Sequence, residues 1–118
     1  MKYHIVEKEG FLFIRISGES KKNEAIMVKR MLYPYFKKEG IKVIVDLKAL
    51  ETFEPAILLG VLNGIRKEVG LLRGGVKLCS LNPETLNYLK QNRLDEIFYI
   101  CEDEEVAKRN EWRNYGKR

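Results

Sequence analysis

Three acids stand close together in this sequence: Asp46, Glu51 and Glu54. Two carboxylates held at one loop can divide acid and base work when their surroundings push their pKa values apart. The other parts of an active site are missing around them. His4 is the only histidine, so a His-rich metal site, or a Ser-His-Asp triad with a spare base, is hard to build. Cys79 and Cys101 are the only cysteines; they form no Cys-x-x-Cys pair and lie in or beside apolar runs, which predicts buried, reduced thiols. There is no phosphate-binding loop, dinucleotide fingerprint or nucleophile elbow. The plainer assignment is that Asp46 ends a strand, Glu51 is solvated and Glu54 caps a helix. No enzyme, metal site or cofactor is therefore expected.

The elements that must position these residues follow from periodicity. Residues 3–7 and 11–17 alternate as strands, and Lys8-Glu9-Gly10 between them predicts a β-hairpin. The second strand has apolar residues on both faces, which places it inside a sheet. A helix is predicted over 23–38, with Ala25, Met27, Val28, Met31, Leu32, Tyr35 and Phe36 as its apolar positions. Pro34 should kink it or end its regular part. Residues 42–47 form a short β-branched run suited to burial on both faces. Pro55 opens a helix to about Val69, with Glu54 at its N-cap. A strand over 76–80 leads to Asn82-Pro83-Glu84, a second cap-plus-proline start, and to a short helix ending near Asn92 that presents Leu86, Tyr88 and Leu89. A strand over 97–101 and a helix from 102 to about 113 complete the chain. The pattern is a single α/β domain over 1–118: a mixed sheet of about five strands, in the order β-β-α-β-α-β-α-β-α, covered by helices.

The helix after Glu54 can be read position by position. At about 100° per residue, Leu58, Val61, Leu62, Ile65 and Val69 form one stripe that should face the sheet. Ala56, Gly60, Asn63 and Lys67 fall on the opposite side, and Ile57 and Leu59 flank the buried stripe. The outward side is small near the N-terminus and has apolar neighbours, so another protein's helix or loop could approach closely. Glu54, Pro55, Ala56, Leu59, Gly60 and Asn63 are the candidate partner-binding residues, with Glu19, Ser20 and Lys21 as a polar rim. The alternative for this face is a cover made by the protein's own loops.

Four segments, taken in order, resemble a STAS domain (sulphate transporter and anti-sigma factor antagonist). The strand ending Phe13-Ile14-Arg15-Ile16-Ser17-Gly18-Glu19 is similar to the family's strand closing on Gly-Glu. Val43-Ile44-Val45-Asp46-Leu47 is similar to its central strand. Gly74-Gly75-Val76-Lys77-Leu78 is similar to its Gly-Gly turn into a strand. Asn82-Pro83-Glu84, Leu89 and Arg93-Leu94-Asp95-Glu96-Ile97-Phe98 are similar to its closing helix and last strand. The resemblance implies the STAS-like mixed sheet. It also implies an anti-sigma factor antagonist, a protein-binding module whose partner is an anti-sigma factor or related serine kinase. In the regulated members that kinase phosphorylates a serine at the start of the helix after the Asp-Leu strand, and binding is lost. A phosphate is stabilised at a helix N-terminus, while its charge near −2 disrupts a tight interface.

Where those members carry Asp-Ser-Ser-Gly, this chain has Glu54-Pro55-Ala56-Ile57. Ala56 occupies the phosphoserine position; a shift of one residue puts Ile57 there. Neither has a hydroxyl, and Thr52 belongs to the preceding turn. The resemblance therefore implies a module without the usual phosphorylation switch, or one in which Glu54 supplies a permanent negative charge. Lys21 also departs, standing where many members have an acid.

Charge and composition define the rival functions. The net charge is +5, and residues 108–118 hold five cations against one acid, Glu111. That basic C-terminal extension (about 109–118), with Trp112 and Tyr115, is the one feature that suits nucleic acid; a solvated helix end and tail is the plainer explanation. A small-ligand (nucleotide or lipid) sensing STAS domain is the other alternative, and no sequence motif marks its pocket. No run of about 18 apolar residues exists and no secretory leader is recognisable, so a cytoplasmic protein without a membrane span is expected, as monomer or weak homodimer. Frequent Lys and Glu with a single Gln, Gln91, would suit a thermophile.

Overall fold

A computed structural model describes residues 1–19, 23–51, 53–109 and 111–112. Strands β1 (Lys2–Lys8) and β2 (Phe11–Ser17) pair antiparallel through the two-residue turn Glu9-Gly10. Both turn residues have positive φ, 56° and 83°. That geometry matches the twist of the flanking strands, and Glu9 adopts it as well as the glycine. β3 (Lys42–Asp46), β4 (Gly75–Cys79) and β5 (Tyr99–Cys101) then add in parallel, in the order β1-β2-β3-β4-β5. This is the five-stranded mixed sheet expected, with β2 inside it. Val43, Ile44 and Val45 of β3 are all fully buried, as a strand covered on both faces requires.

Helices α1 (Glu24–Met31), α2 (Pro55–Leu71) and α3 (Pro83–Gln91) share one core with one face of the sheet. Leu12, Ile14, Ile16, Val43, Val45, Val76 and Leu78 form that face. The opposite face carries Phe13, Ile44, Cys79 and Cys101, and among the described residues Ala107 and Val106 of the short α4 (Glu104–Arg109) and Trp112 pack on it. One side of the sheet therefore has a thick apolar layer and the other a thin one.

Three boundaries differ from expectation. α1 stops at Met31, and the Pro34 segment forms a 3-10 turn, Tyr33–Tyr35, instead of continuing the helix to 38. The proline lacks the amide that another helical turn needs. Val28 and Leu32 are buried, whereas Met27 and Tyr35 are each more than two-fifths exposed. β5 starts only at Tyr99, because Leu94–Glu96 form a second 3-10 turn. α4 spans Glu104–Arg109, shorter than the helix expected from 102 to 113, and residues 110 and 113–118 lie outside the described ones.

Two contacts fix the layers. Glu24 is buried and accepts a hydrogen bond from the Tyr3 hydroxyl at 2.7 Å, tying α1 to the edge strand β1. Burial beside that carboxylate pushes the Tyr3 hydroxyl pKa far up. Gly74, before β4, has no room for a side chain: a Cβ there would collide with the Ile41 carbonyl and with Val69. The close approach of the start of β3 and the end of α2 explains the first glycine of the Gly-Gly pair.

Candidate functional site

α2 places its residues as the sequence predicts. Leu58, Val61, Leu62, Ile65 and Val69 are its buried residues. Each fully buried aliphatic side chain contributes about 1.5–3 kcal/mol, so this stripe holds the helix firmly against the sheet. Ala56, Gly60 and Lys67 are exposed and Asn63 is half-buried. Leu59 is half-buried against the main core, and Ile57 is half-buried on the other flank. At Gly60 an added Cβ would meet nothing within 4 Å. At Gly64, one turn on, it would lie 2.8 Å from the Tyr33 hydroxyl. The same helix is thus open at one glycine and covered at the next.

The start of α2 is held from outside. Pro55 is the first helical residue, and Glu54 is its N-cap in extended conformation, without a side-chain capping bond. The Glu54 carbonyl accepts from the Ile57 and Leu58 amides at 3.0 and 3.1 Å. The Tyr88 hydroxyl of α3 donates to the Pro55 carbonyl at 3.3 Å, and Phe53 meets the Tyr88 ring edge to face at 6.0 Å. These aromatics brace the first turn while Glu54, Pro55 and Ala56 stay exposed.

Of the predicted rim, Glu19 is described, and it follows Gly18 at this end of the sheet. Gly18 bridges to Leu50 in the loop that leads to α2: its amide donates to the Ala49 carbonyl at 3.2 Å, and its carbonyl accepts from the Glu51 amide at 3.0 Å. Glu19, next to it, is exposed. Ser20 and Lys21 lie outside the described residues, as does Thr52.

The three clustered acids do not form a joint site. Asp46 turns to the thin side of the sheet, where its carboxylate accepts from the Lys48 amide at 2.8 Å and meets Glu104. Glu54 opens the helix on the thick side, and Glu51 is exposed. Sequence reasoning missed the partner of Asp46. Arg15 donates through two nitrogens to both oxygens of Glu104, each at 3.0 Å. The arginine holds the Glu104 carboxyl below its ordinary value, whereas burial, with help from Glu104, raises that of Asp46. Eighty-nine residues separate Arg15 from Glu104, so no local spacing could reveal the pair.

Lys77 was also hidden, in an apolar strand. It is buried, donates to the Ala107 carbonyl at 2.9 Å, and lies 4.6 and 4.4 Å from the rings of Tyr99 and Trp112. Burial lowers its pKa. Cys79 and Cys101 are free and buried, and burial pushes the Cys79 thiol up to about 12. A thiol so far above neutral pH is a poor nucleophile. Among the described residues, no group of three or more His, Cys, Asp and Glu is placed to hold a metal, and no helix is long and apolar enough to cross a membrane.

The sequence matches the STAS domain family over residues 2–107; the chain belongs to that family. Solved structures share the fold at low identity. An anti-sigma-factor antagonist (STAS) domain protein from Planctomyces limnophilus is 17% identical, with TM-score 0.72 over 89% of this chain and 93% of that one. The anti-sigma factor antagonist SpoIIAA of Bacillus, in its unphosphorylated form, is 14% identical, with TM-score 0.73 over 92% and 95%. An anti-sigma factor antagonist from Mycobacterium paratuberculosis is 18% identical, with TM-score 0.73 over 91% and 90%. No curated protein sequence matches the chain.

Proposed function

We propose that this chain is an anti-sigma factor antagonist that docks an anti-sigma factor, or a related serine kinase, on the outward side of α2. Glu54, Pro55, Ala56, Leu59, Gly60 and Asn63 form the docking face, with Glu19, Ser20 and Lys21 at its rim. The observation that carries the reading is the open position at Gly60, between exposed Ala56 and Lys67 on a helix whose other side is sealed. A small, flat helix face lets a partner backbone come close, and Leu59 and Ile57 beside it give that partner apolar surface to bury. The neighbours named as anti-sigma factor antagonists support the class of partner. Binding, not catalysis, is the activity this face suits.

Serine phosphorylation at the family's position does not switch this interaction, because Glu54-Pro55-Ala56-Ile57 has no hydroxyl to modify. Two measurements test the proposal. The tagged chain is used to capture proteins from its native cells, in parallel with Gly60→Arg. An anti-sigma factor or serine kinase retained by the native chain and lost by the variant is the expected result; equal retention contradicts the docking face. Incubation with the captured kinase and ATP should leave the chain's mass unchanged, and the gain of one phosphate would refute the missing switch.

A further inference from the structure

The chain's only two cysteines end two neighbouring strands. β4 and β5 run parallel, with Lys77 beside Tyr99, Leu78 beside Ile100 and Cys79 beside Cys101. Leu78 and Ile100 belong to the thick-side core, so strand alternation sends both thiols to the thin side. There they share one buried cluster with Phe13, Ile44 and Ala107. One residue on, the Ser80 amide donates to the Glu102 carbonyl at 3.1 Å and carries the register past the pair.

Spacing decides what such a pair can do. Neighbouring strands stand about 4.7–4.9 Å apart. In-register side chains leave parallel strands in the same direction, so the two Cβ atoms keep about that separation. A disulfide draws its Cβ atoms to about 3.8 Å, which this pair reaches only by distorting the ladder. Two thiolates on one linear metal ion stand farther apart, about 4.6 Å for metal–sulfur bonds of about 2.3 Å. Strand spacing and linear coordination therefore coincide. Thiolates select soft ions such as Cu(I), which is content with two of them. Zinc takes four ligands, and among the described residues no third His, Cys, Asp or Glu is placed to complete a metal site.

The surroundings suit the charge of a Cu(I) bis-thiolate, which is negative by one. Burial raises the pKa of both thiols, helped at Cys79 by the charge of Asp46. Against burial, Ser80 hydrogen-bonds Cys79, and the Lys77 charge, on the same side of β4, favours the Cys101 thiolate. Both groups would go on stabilising the sulfurs once a metal had displaced the protons. Access is through β5, a three-residue strand at the edge of the sheet, where local opening is easiest.

We propose that Cys79 and Cys101 form a two-coordinate site for Cu(I), on the side of the sheet away from the α2 face and independent of it. One Cu(I) enters, the two thiol protons leave to solvent, and no electron is exchanged. The test titrates the full, reduced chain with Cu(I) in the absence of oxygen, in competition with the coloured chelator bicinchoninate. One Cu(I) per chain is expected, with X-ray absorption showing two sulfur neighbours at about 2.3 Å. Cys79→Ala and Cys101→Ala should each weaken binding by at least about a hundredfold, and Lys77→Met by about tenfold, the scale of outer-shell effects. The absorption spectrum of the native chain decides the coordination even where an alanine variant is unstable. Half a Cu(I) per chain, a third ligand on the metal, or unaltered affinity in either folded alanine variant would overturn the proposal. So would Zn(II) that displaces the Cu(I), or an intrachain disulfide that forms readily with a mild thiol oxidant.

Discussion

Two helices of this chain begin with an acceptor side chain followed by proline, Glu54-Pro55 at α2 and Asn82-Pro83 at α3, yet they begin differently. The Asn82 side chain folds over its own first turn and accepts from the Thr85 amide at 2.7 Å. Glu54 makes no side-chain capping bond, and α2 is steadied from outside by Tyr88 and Phe53. α3 closes on itself, while α2 is braced at its base and keeps its first turn on the surface. A cap contributes stability, whereas an exposed, externally braced start is suited to presenting a surface. The division is repeated around α2, where a sealed stripe and an open stripe run along the same helix.

The largest expected effect sets those two stripes against each other. Leu58→Ala should cost about 2–5 kcal/mol in chemical denaturation, because Leu58 is fully buried and a cavity would remain. Gly60→Arg, two residues on, should leave the melt unchanged or raise it, since Gly is about 1 kcal/mol worse than an ordinary helix former. It should instead cost on the order of 2 kcal/mol or more in partner affinity, the scale of an interface hot spot. A loss of stability in Gly60→Arg would erase the contrast. The helix starts come next. Asn82→Ala should destabilise by about 1 kcal/mol, and Glu54→Ala should stay within about 0.5 kcal/mol; equal losses would show that Glu54 caps α2 after all. Glu54→Ala also asks whether this carboxylate acts as a standing negative charge on the docking face, in which case partner affinity rises.

The fold was legible because its signals are local. The Asp46-Leu47 strand end, the Gly74-Gly75 turn and the Asn82-Pro83 start each impose a backbone geometry on their neighbours. The 3.6-residue period of α2 likewise separated its buried residues from its exposed ones. The end of α1 was only partly legible: Pro34 announced a break, but pattern alone does not distinguish a kinked helix from a 3-10 turn. The thin side of the sheet was not legible. Arg15, Asp46 and Glu104 meet only after the sheet has formed, and Lys77 reads as an accident in an apolar strand until Tyr99 and Trp112 close around it.

A small, pH-dependent effect belongs to that thin side, where the two carboxyls shift in opposite directions. Glu104, lowered by Arg15, contributes stability that is present above its unfolded value and lost as pH falls through its depressed folded value. Asp46, raised by burial, has the opposite sign: its ionisation works against the folded state, and stability recovers as pH falls through its raised value. Asp46→Asn keeps an acceptor for the Lys48 amide and removes that charge. It should change stability at neutral pH by no more than about 1 kcal/mol, upward, and abolish the recovery on mild acidification, leaving only the acid loss due to Glu104. Urea melts across the acid range follow both. A variant that still gains stability on mild acidification would place the raised group elsewhere.

Hydrogen exchange on the complex between this chain and the anti-sigma factor or kinase it captures tests the central claim most directly. Slower exchange is predicted in peptides covering residues 54–67 and around Glu19, with the β1–β2 hairpin unchanged. Protection confined to the hairpin or to α4, with the start of α2 exchanging as in the free protein, would contradict it.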